Sequence, residues 1–117
     1  MKPKRVVKTW GHEIIFANNA LYCGKELFVR DNEWSSKGRW HFHRIKDETF
    51  YVVSGILHLQ TKEINADYAH EKEVYLGRGD TFRVLPGVRH RFRGYEGDCT
   101  FIEVSTHDEP EDSIRED

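Results

Sequence analysis

Three histidines and a glutamate have the types and the spacing of a metal site. His41 and His43 flank Phe42, so on an extended strand their side chains point to one face. Glu48 follows the polar turn Arg44-Ile45-Lys46-Asp47, which can bring a carboxylate back to that face. A fourth candidate is His90, in Leu85-Pro86-Gly87-Val88-Arg89-His90. Neutral imidazole suits zinc, copper, iron and nickel, and a carboxylate adds a hard oxygen ligand. Three nitrogens and one oxygen leave positions open for water or substrate, as a catalytic metal requires. A His-x-His pair alone is commonly solvated and binds nothing. Glu48 and the Gly-Val-Arg-His turn are what change that reading.

Other residues carry chemistry with less definition. Glu103 lies in Phe101-Ile102-Glu103-Val104. Strand alternation permits it to face solvent, with Ile102 and Val104 inward, or to face the interior as a base. Arg89, Arg91 and Arg93 alternate and share the face opposite His90 and Phe92. They read as a solvated outer face paired with acidic neighbours, rather than as a nucleic-acid surface. Lys37 and Arg39 lie just before the His-x-His strand and, with Lys25, can meet a substrate phosphate or sugar hydroxyls. His12, His58, His70 and His107 have no partner spacing and read as surface or packing residues. Trp10, Trp34 and Trp40 read as packing for a barrel or a dimer interface.

The elements that must position these groups are short strands. Val6-Val7 and Glu13 to Phe16 are β segments broken by Gly11, and Asn18-Asn19 is a turn signal. Leu21 to Arg30 reads as a longer strand, followed by a polar loop through Gly38. After the His-x-His strand come Thr49 to Val53, the turn Ser54-Gly55 and the strand Ile56 to Gln60. Lys62 to Lys72 shows no β pattern and is expected to be a surface connection, with a little helix around Ala66-Asp67-Tyr68-Ala69. Val74 to Leu76, Thr81 to Leu85, His90 to Arg93 and Thr100 to Ser105 complete the strands. No long period-3.6 apolar pattern occurs. Many short strands with glycine and proline turns predict an all-β sandwich or barrel.

The whole chain narrows the classes. Its 117 residues suit one domain, 1–117, with an acidic tail over 108–117. With 38% hydrophobic and 13% aromatic residues it has the means to build a core and does not read as disordered. A formal net charge of -2 argues against nucleic acid or a membrane surface as partner. No run is long enough to span a bilayer, and no signal-peptide hydrophobic region follows the basic Met1 to Arg5. Cys23 and Cys99 are too few for a disulfide scaffold and suit buried thiols in a reducing cytoplasm.

Taken together, these residues resemble the cupin family, whose fold is a double-stranded β-helix related to the jelly roll. The first cupin motif is Gly-x5-His-x-His-x(3–4)-Glu-x6-Gly. His41, His43, Glu48 and Gly55 fall in register, while Ser35 stands in place of the opening glycine. The second is Gly-x5-Pro-x-Gly-x2-His-x3-Asn. Gly79, Gly87 and His90 match, with Leu85 for the proline and Gly94 for the asparagine. A finer likeness runs through Trp10-Gly11-x-Glu13, Tyr22 to Lys25, Phe101 to Thr106 and the tail Glu111-Asp112-Ser113-Ile114-Arg115-x-Asp117. It is similar to the sugar-handling cupins: the mannose-6-phosphate isomerase domain, alone or fused to mannose-1-phosphate guanylyltransferases, and the lyxose isomerases.

The resemblance implies one divalent metal (Zn, Mn, Fe, Ni or Co) on His41, His43, Glu48 and His90. It implies Glu103 and Lys25 as catalytic candidates, and Lys37, Arg39 and Arg115 as substrate-binding candidates, Arg115 folding back over the pocket. The expected activity is isomerisation or epimerisation of a sugar or sugar phosphate through an enediolate held by the metal, with a base moving a proton between neighbouring carbons. A metal-dependent dioxygenase and a non-catalytic carbohydrate-binding module are the alternatives. A homodimer through the exposed edge of the Val6 to Trp10 segment is expected.

Overall fold

The computed structural model describes residues 2–64 and 69–116. Among the described residues, eleven strands form two antiparallel sheets facing each other, as the turn-rich sequence predicts. In chain order they are β1 (Lys4–Lys8), β2 (Gly11–Asn18), β3 (Cys23–Val29), β4 (Trp40–His43), β5 (Glu48–Ser54), β6 (Leu57–Ile64), β7 (Ala69–Leu76), β8 (Thr81–Val84), β9 (Arg89–Gly94), β10 (Cys99–Ser105) and β11 (Ser113–Glu116). One sheet runs β1-β2-β3-β10-β5-β8 and the other β11-β4-β9-β6-β7. This is the jelly-roll arrangement expected for a cupin barrel. Among the described residues, no helix is long and apolar enough to cross a membrane.

The core and the site share the same inward-facing rows. Each strand sends alternate residues inside, and along several strands the inward row changes from apolar to ionisable. On β3 the row is Val29, Leu27, Lys25; on β5 it is Val52, Phe50, Glu48. On β10 Phe101 gives way to Glu103, and on β9 Phe92 gives way to His90. The apolar half is a closed aromatic cluster. Phe50 and Phe101 meet edge to face at 5.0 Å, and Phe92 contacts Trp10 at 5.3 Å and Phe101 at 5.2 Å. Edge-to-face pairs of this kind add to burial itself. They give the polar half a rigid floor.

Turn chemistry fixes the registers. Gly55 has φ +80, and a Cβ there would meet the Asp98 carbonyl oxygen at 2.2 Å, so only glycine serves the β5–β6 turn. Both cysteines are free and buried.

The 57–76 hairpin departs from expectation. β6 continues to Ile64 and β7 begins at Ala69, so most of Lys62 to Lys72 is strand. Its far half carries Lys62 opposite Glu71 and Glu63 opposite His70. Both faces there are largely solvated, so the ladder and its cross-strand charges hold the strands without apolar alternation. The helical turn expected at Ala66 to Tyr68 lies outside the described residues, and Ala69 belongs to β7.

The arginine row faces outward as expected, with Arg89 on an acidic neighbour as expected and Arg91 and Arg93 on tryptophan rings instead. Arg89 pairs with Glu116 at 2.8 Å. Arg91 lies 4.2 Å over the Trp40 ring and bonds Gln60, and Arg93 lies 4.8 Å over Trp34 and donates to His58 Nδ1 at 2.9 Å. Flat guanidinium groups stack well on tryptophan, and the Lys62 ammonium also lies 4.7 Å over the Trp40 ring. His58 is a packing residue as expected, buried between Trp34 and Tyr75 and bonded to Glu73. Trp10 packs in the interior core, while Trp40, though buried, lies on the outer face under Arg91 and Lys62, and Trp34 is half-buried on that same face.

Candidate metal centre

The three histidines converge because two adjacent strands place them in register. His41 on β4 is directly paired with His90 on β9, and their rings lie 4.0 Å apart, centroid to centroid. His43, two residues along β4, returns to the same face with its ring 5.6 Å from each of the other two. One donor atom from each histidine lies within 4.8 Å of the others. Glu48 starts β5 in the facing sheet. Its Oε1 is 3.0 Å from His90 Nε2, and its Oε2 is 3.8 Å from His43 Nε2.

These groups are buried in forms suited to ligation. Burial, reinforced by neighbouring His90, holds the His41 imidazole well below the usual range. Burial likewise pulls His43 down to about 4. Both rings are therefore neutral at neutral pH. Burial works against the Glu48 carboxylate, but its contact with His90 and the Lys46 charge outweigh it and hold its pKa below the ordinary value.

The chemistry of the donor set fits a cation. His90 Nδ1 lies 3.0 Å from the Val88 carbonyl oxygen. A carbonyl only accepts, so Nδ1 carries a proton, and Nε2, the atom facing Glu48, is left as the ring's ligating nitrogen. That is a ligand orientation set by an outer partner, as in many metal sites. His41 Nδ1, His90 Nε2 and both oxygens of Glu48 are buried and lack a well-directed hydrogen bond among the described residues, although Glu48 lies 3.0 Å from His90 Nε2 and 3.1 Å from the Lys46 ammonium. Buried polar atoms are rarely left so. A divalent metal among them would satisfy all four.

The wall beside the histidines is a cluster of charges. Glu103 faces the interior, 5% exposed, while Val104 points out; of its two possible directions, this is the one a base requires. Burial pushes its carboxyl up to about 7, with the Glu48 charge adding and Lys46 and Lys25 opposing. Lys25 is buried on β3, 3.1 Å from Asp108 and 3.7 Å from Glu13. Burial disfavours its charge, but Glu103, Glu13 and Asp108 raise its pKa above the ordinary value.

Lys46, read from sequence as part of a polar turn, is the residue that reading missed. It is 4% exposed, and its Nζ lies 3.1 Å from Glu48, 3.2 Å from Glu103 and 3.1 Å from Asp108. Its neighbour Ile45 is 78% exposed, the reverse of what hydropathy suggests. In this cluster three ammonium groups, Lys8, Lys25 and Lys46, face four carboxylates, Glu13, Glu48, Glu103 and Asp108.

The cluster opens into a cavity of about 370 Å³ lined by the histidines, Glu48, Glu103, Lys25, Lys46 and Arg115. That is the size of a small-molecule site. Arg115 on β11 pairs with His41 and donates to Ser36 Oγ at 3.1 Å, so the tail does fold back over the pocket. Lys37 and Arg39 do not line this cavity. They line an adjoining depression with Lys8, Trp10 and Arg115. Ser36 and Lys37 there hold left-handed backbone, φ 50 and 56, ahead of Gly38.

Residues 31–105 match the family model described as the cupin domain. The chain is a cupin. Solved structures share the fold. CapF of Staphylococcus aureus, a capsular polysaccharide assembling protein, has TM-score 0.80 at 18% identity, over 96% of this chain and 33% of its own. KdgF of a Halomonas species has TM-score 0.73 at 17% identity, over 95% and 90%. Oxalate decarboxylase of Bacillus subtilis has TM-score 0.77 at 13% identity, over 97% and 30%. This cupin thus spans about a third of CapF and of the decarboxylase. A comparison with curated protein sequences finds no match.

Proposed function

We propose that this cupin is a metal-dependent isomerase or epimerase of a sugar or sugar phosphate, close in chemistry to the mannose-6-phosphate and lyxose isomerases. The observation that carries the reading is Glu103, a carboxyl buried in the cavity wall beside the histidine triad, with a pKa raised to about 7. A group poised near neutrality takes and returns a proton readily. His41, His43, His90 and Glu48 hold one divalent metal. When bound, that metal supplies Lewis-acid stabilisation of charge developing on the substrate oxygens.

The chain's own groups do the rest. Glu103 removes the proton from one carbon and returns it to its neighbour, while the hydroxyl proton passes from the oxygen that becomes the carbonyl to the oxygen that becomes the hydroxyl. Lys25 donates hydrogen bonds to the substrate oxygens and limits how far the Glu103 pKa rises. Arg115, at the mouth, holds the hydroxyls or phosphate at the far end of the substrate. Lys37 and Arg39 extend that basic rim outward. The free buried thiols fit a reducing cytoplasm. The edge position of β1, with Val7 74% exposed, supports a homodimer through that edge.

The test is proton exchange. Metal-loaded protein is incubated in D2O with a panel of aldose–ketose pairs, free and phosphorylated, and followed by proton NMR. The expected result is loss of the C2 proton of one pair with formation of its partner, abolished in Glu103→Gln while metal content is kept. Metal-loaded protein that exchanges no C2 proton anywhere in the panel would contradict the proposal.

A further inference from the structure

The carboxylate of Glu48 is divided between an imidazole and an ammonium. Its Oε1 turns to His90 at 3.0 Å, while Oε2 lies closer to Lys46 Nζ, at 3.1 Å, than to His43, at 3.8 Å. The ammonium therefore does for Glu48 what a metal on the triad would do. It cannot easily withdraw. The backbone N–H of Lys46 is held by Asp112 at 2.9 Å, and its ammonium donates to Glu103 and Asp108 at 3.2 and 3.1 Å. Those two hydrogen bonds persist if Glu48 turns from Lys46 toward the histidines.

Building on the reading that the triad holds a metal, we propose that Lys46 is a resident counter-ion that competes with the metal for Glu48. Two physical effects follow from one charge. Without Lys46, buried carboxylates would stand uncompensated in the metal-free chain, a costly state. With it, an incoming dication meets a fixed like charge across a poorly solvated gap. Lys46 thus stabilises the empty pocket and weakens metal binding. The cupin folds without its metal and exchanges it, rather than trapping it during folding.

The experiment measures Zn2+ affinity by competition with a chromogenic chelator, and melting temperature with and without Zn2+. Lys46→Met and Lys46→Gln are compared with wild type and with Lys62→Met, a charge-matched change on the outer face beside Trp40. Glutamine keeps a hydrogen-bonding group should methionine fail to fold without zinc. The expected result is about ten- to a hundredfold tighter Zn2+ binding in both Lys46 variants and no change in Lys62→Met. The metal-free Lys46 variants should melt lower and gain more from zinc. Affinity unchanged or weakened in both would overturn the inference and make Lys46 a prop for Glu48 as a ligand. Wild type that takes up no Zn2+, or takes it up equally after His41→Ala/His43→Ala, would overturn the metal reading and this inference with it.

Discussion

Asp112 Oδ2 accepts the backbone N–H of Lys46 at 2.9 Å, so a residue of the acidic tail places the ammonium at the centre of the site. The same carboxylate accepts from Arg44 at 2.9 Å and Ile45 at 3.0 Å through Oδ1. One side chain thus ties down three successive amides of the turn between the His-x-His strand and Glu48. Asp112→Ala should cost about 1–2 kcal/mol, the range of a lost cap, read as a lower urea midpoint with unchanged m-value. Metal affinity should change as well, because Lys46 is no longer fixed. A variant with wild-type stability and affinity would show that the tail only decorates the barrel.

The raised pKa of Glu103 predicts a pH dependence of stability. The folded carboxyl holds its proton up to about pH 7, whereas an ordinary glutamate releases it near 4.5. Between those values the folded state binds more protons than the unfolded, so stability falls as pH rises. The contribution is full below pH 4.5 and is lost as pH passes through 7. Its size is on the order of 3 kcal/mol. Metal-free wild type should lose this increment relative to Glu103→Gln between pH 5 and 8, as read by urea unfolding. Parallel curves for the two proteins would place Glu103 in solvent.

Arg115 lines the cavity and approaches Ser36, which fixes it at the mouth rather than at the reacting carbons. Arg115→Ala should raise KM for a phosphorylated substrate about tenfold or more and alter kcat little. That pattern marks uniform binding rather than transition-state binding. An equal fall in kcat and kcat/KM would move Arg115 into the proton-transfer machinery.

Both thiols should be inert in the native protein. Burial pushes Cys99 up to about 12, and burial also raises Cys23, with Lys25 opposing it. A thiolate is the reactive form, so Ellman's reagent should label neither until denaturant is added. Labelling of either cysteine under native conditions would show that this part of the barrel opens.

The candidate metal ligands were legible because each pair or turn that carries them has a short-range spacing. His41 and His43 share a face by strand parity alone, and Gly87 and His90 keep the spacing of a turn. The all-β fold was legible from strand-length runs between glycine and proline turns. Lys46 was not. Its inward direction is set by Asp112, 66 residues away in sequence, and hydropathy would bury Ile45 instead. The far arms of the 57–76 hairpin were hidden because two solvated faces leave no alternation to read. Glu103 sits between these cases. Alternation allowed both directions, and the register of β10 against β3, which pairs it with Lys25, decides for the interior.

The central claim is that the triad and Glu48 hold one divalent metal, and elemental analysis of the purified protein beside His41→Ala/His43→Ala tests it most directly. The account predicts about one zinc, manganese, iron, nickel or cobalt per chain in the wild type, lost in the variant while the β fold persists by circular dichroism. No metal in either protein, and none taken up when it is offered, would contradict it.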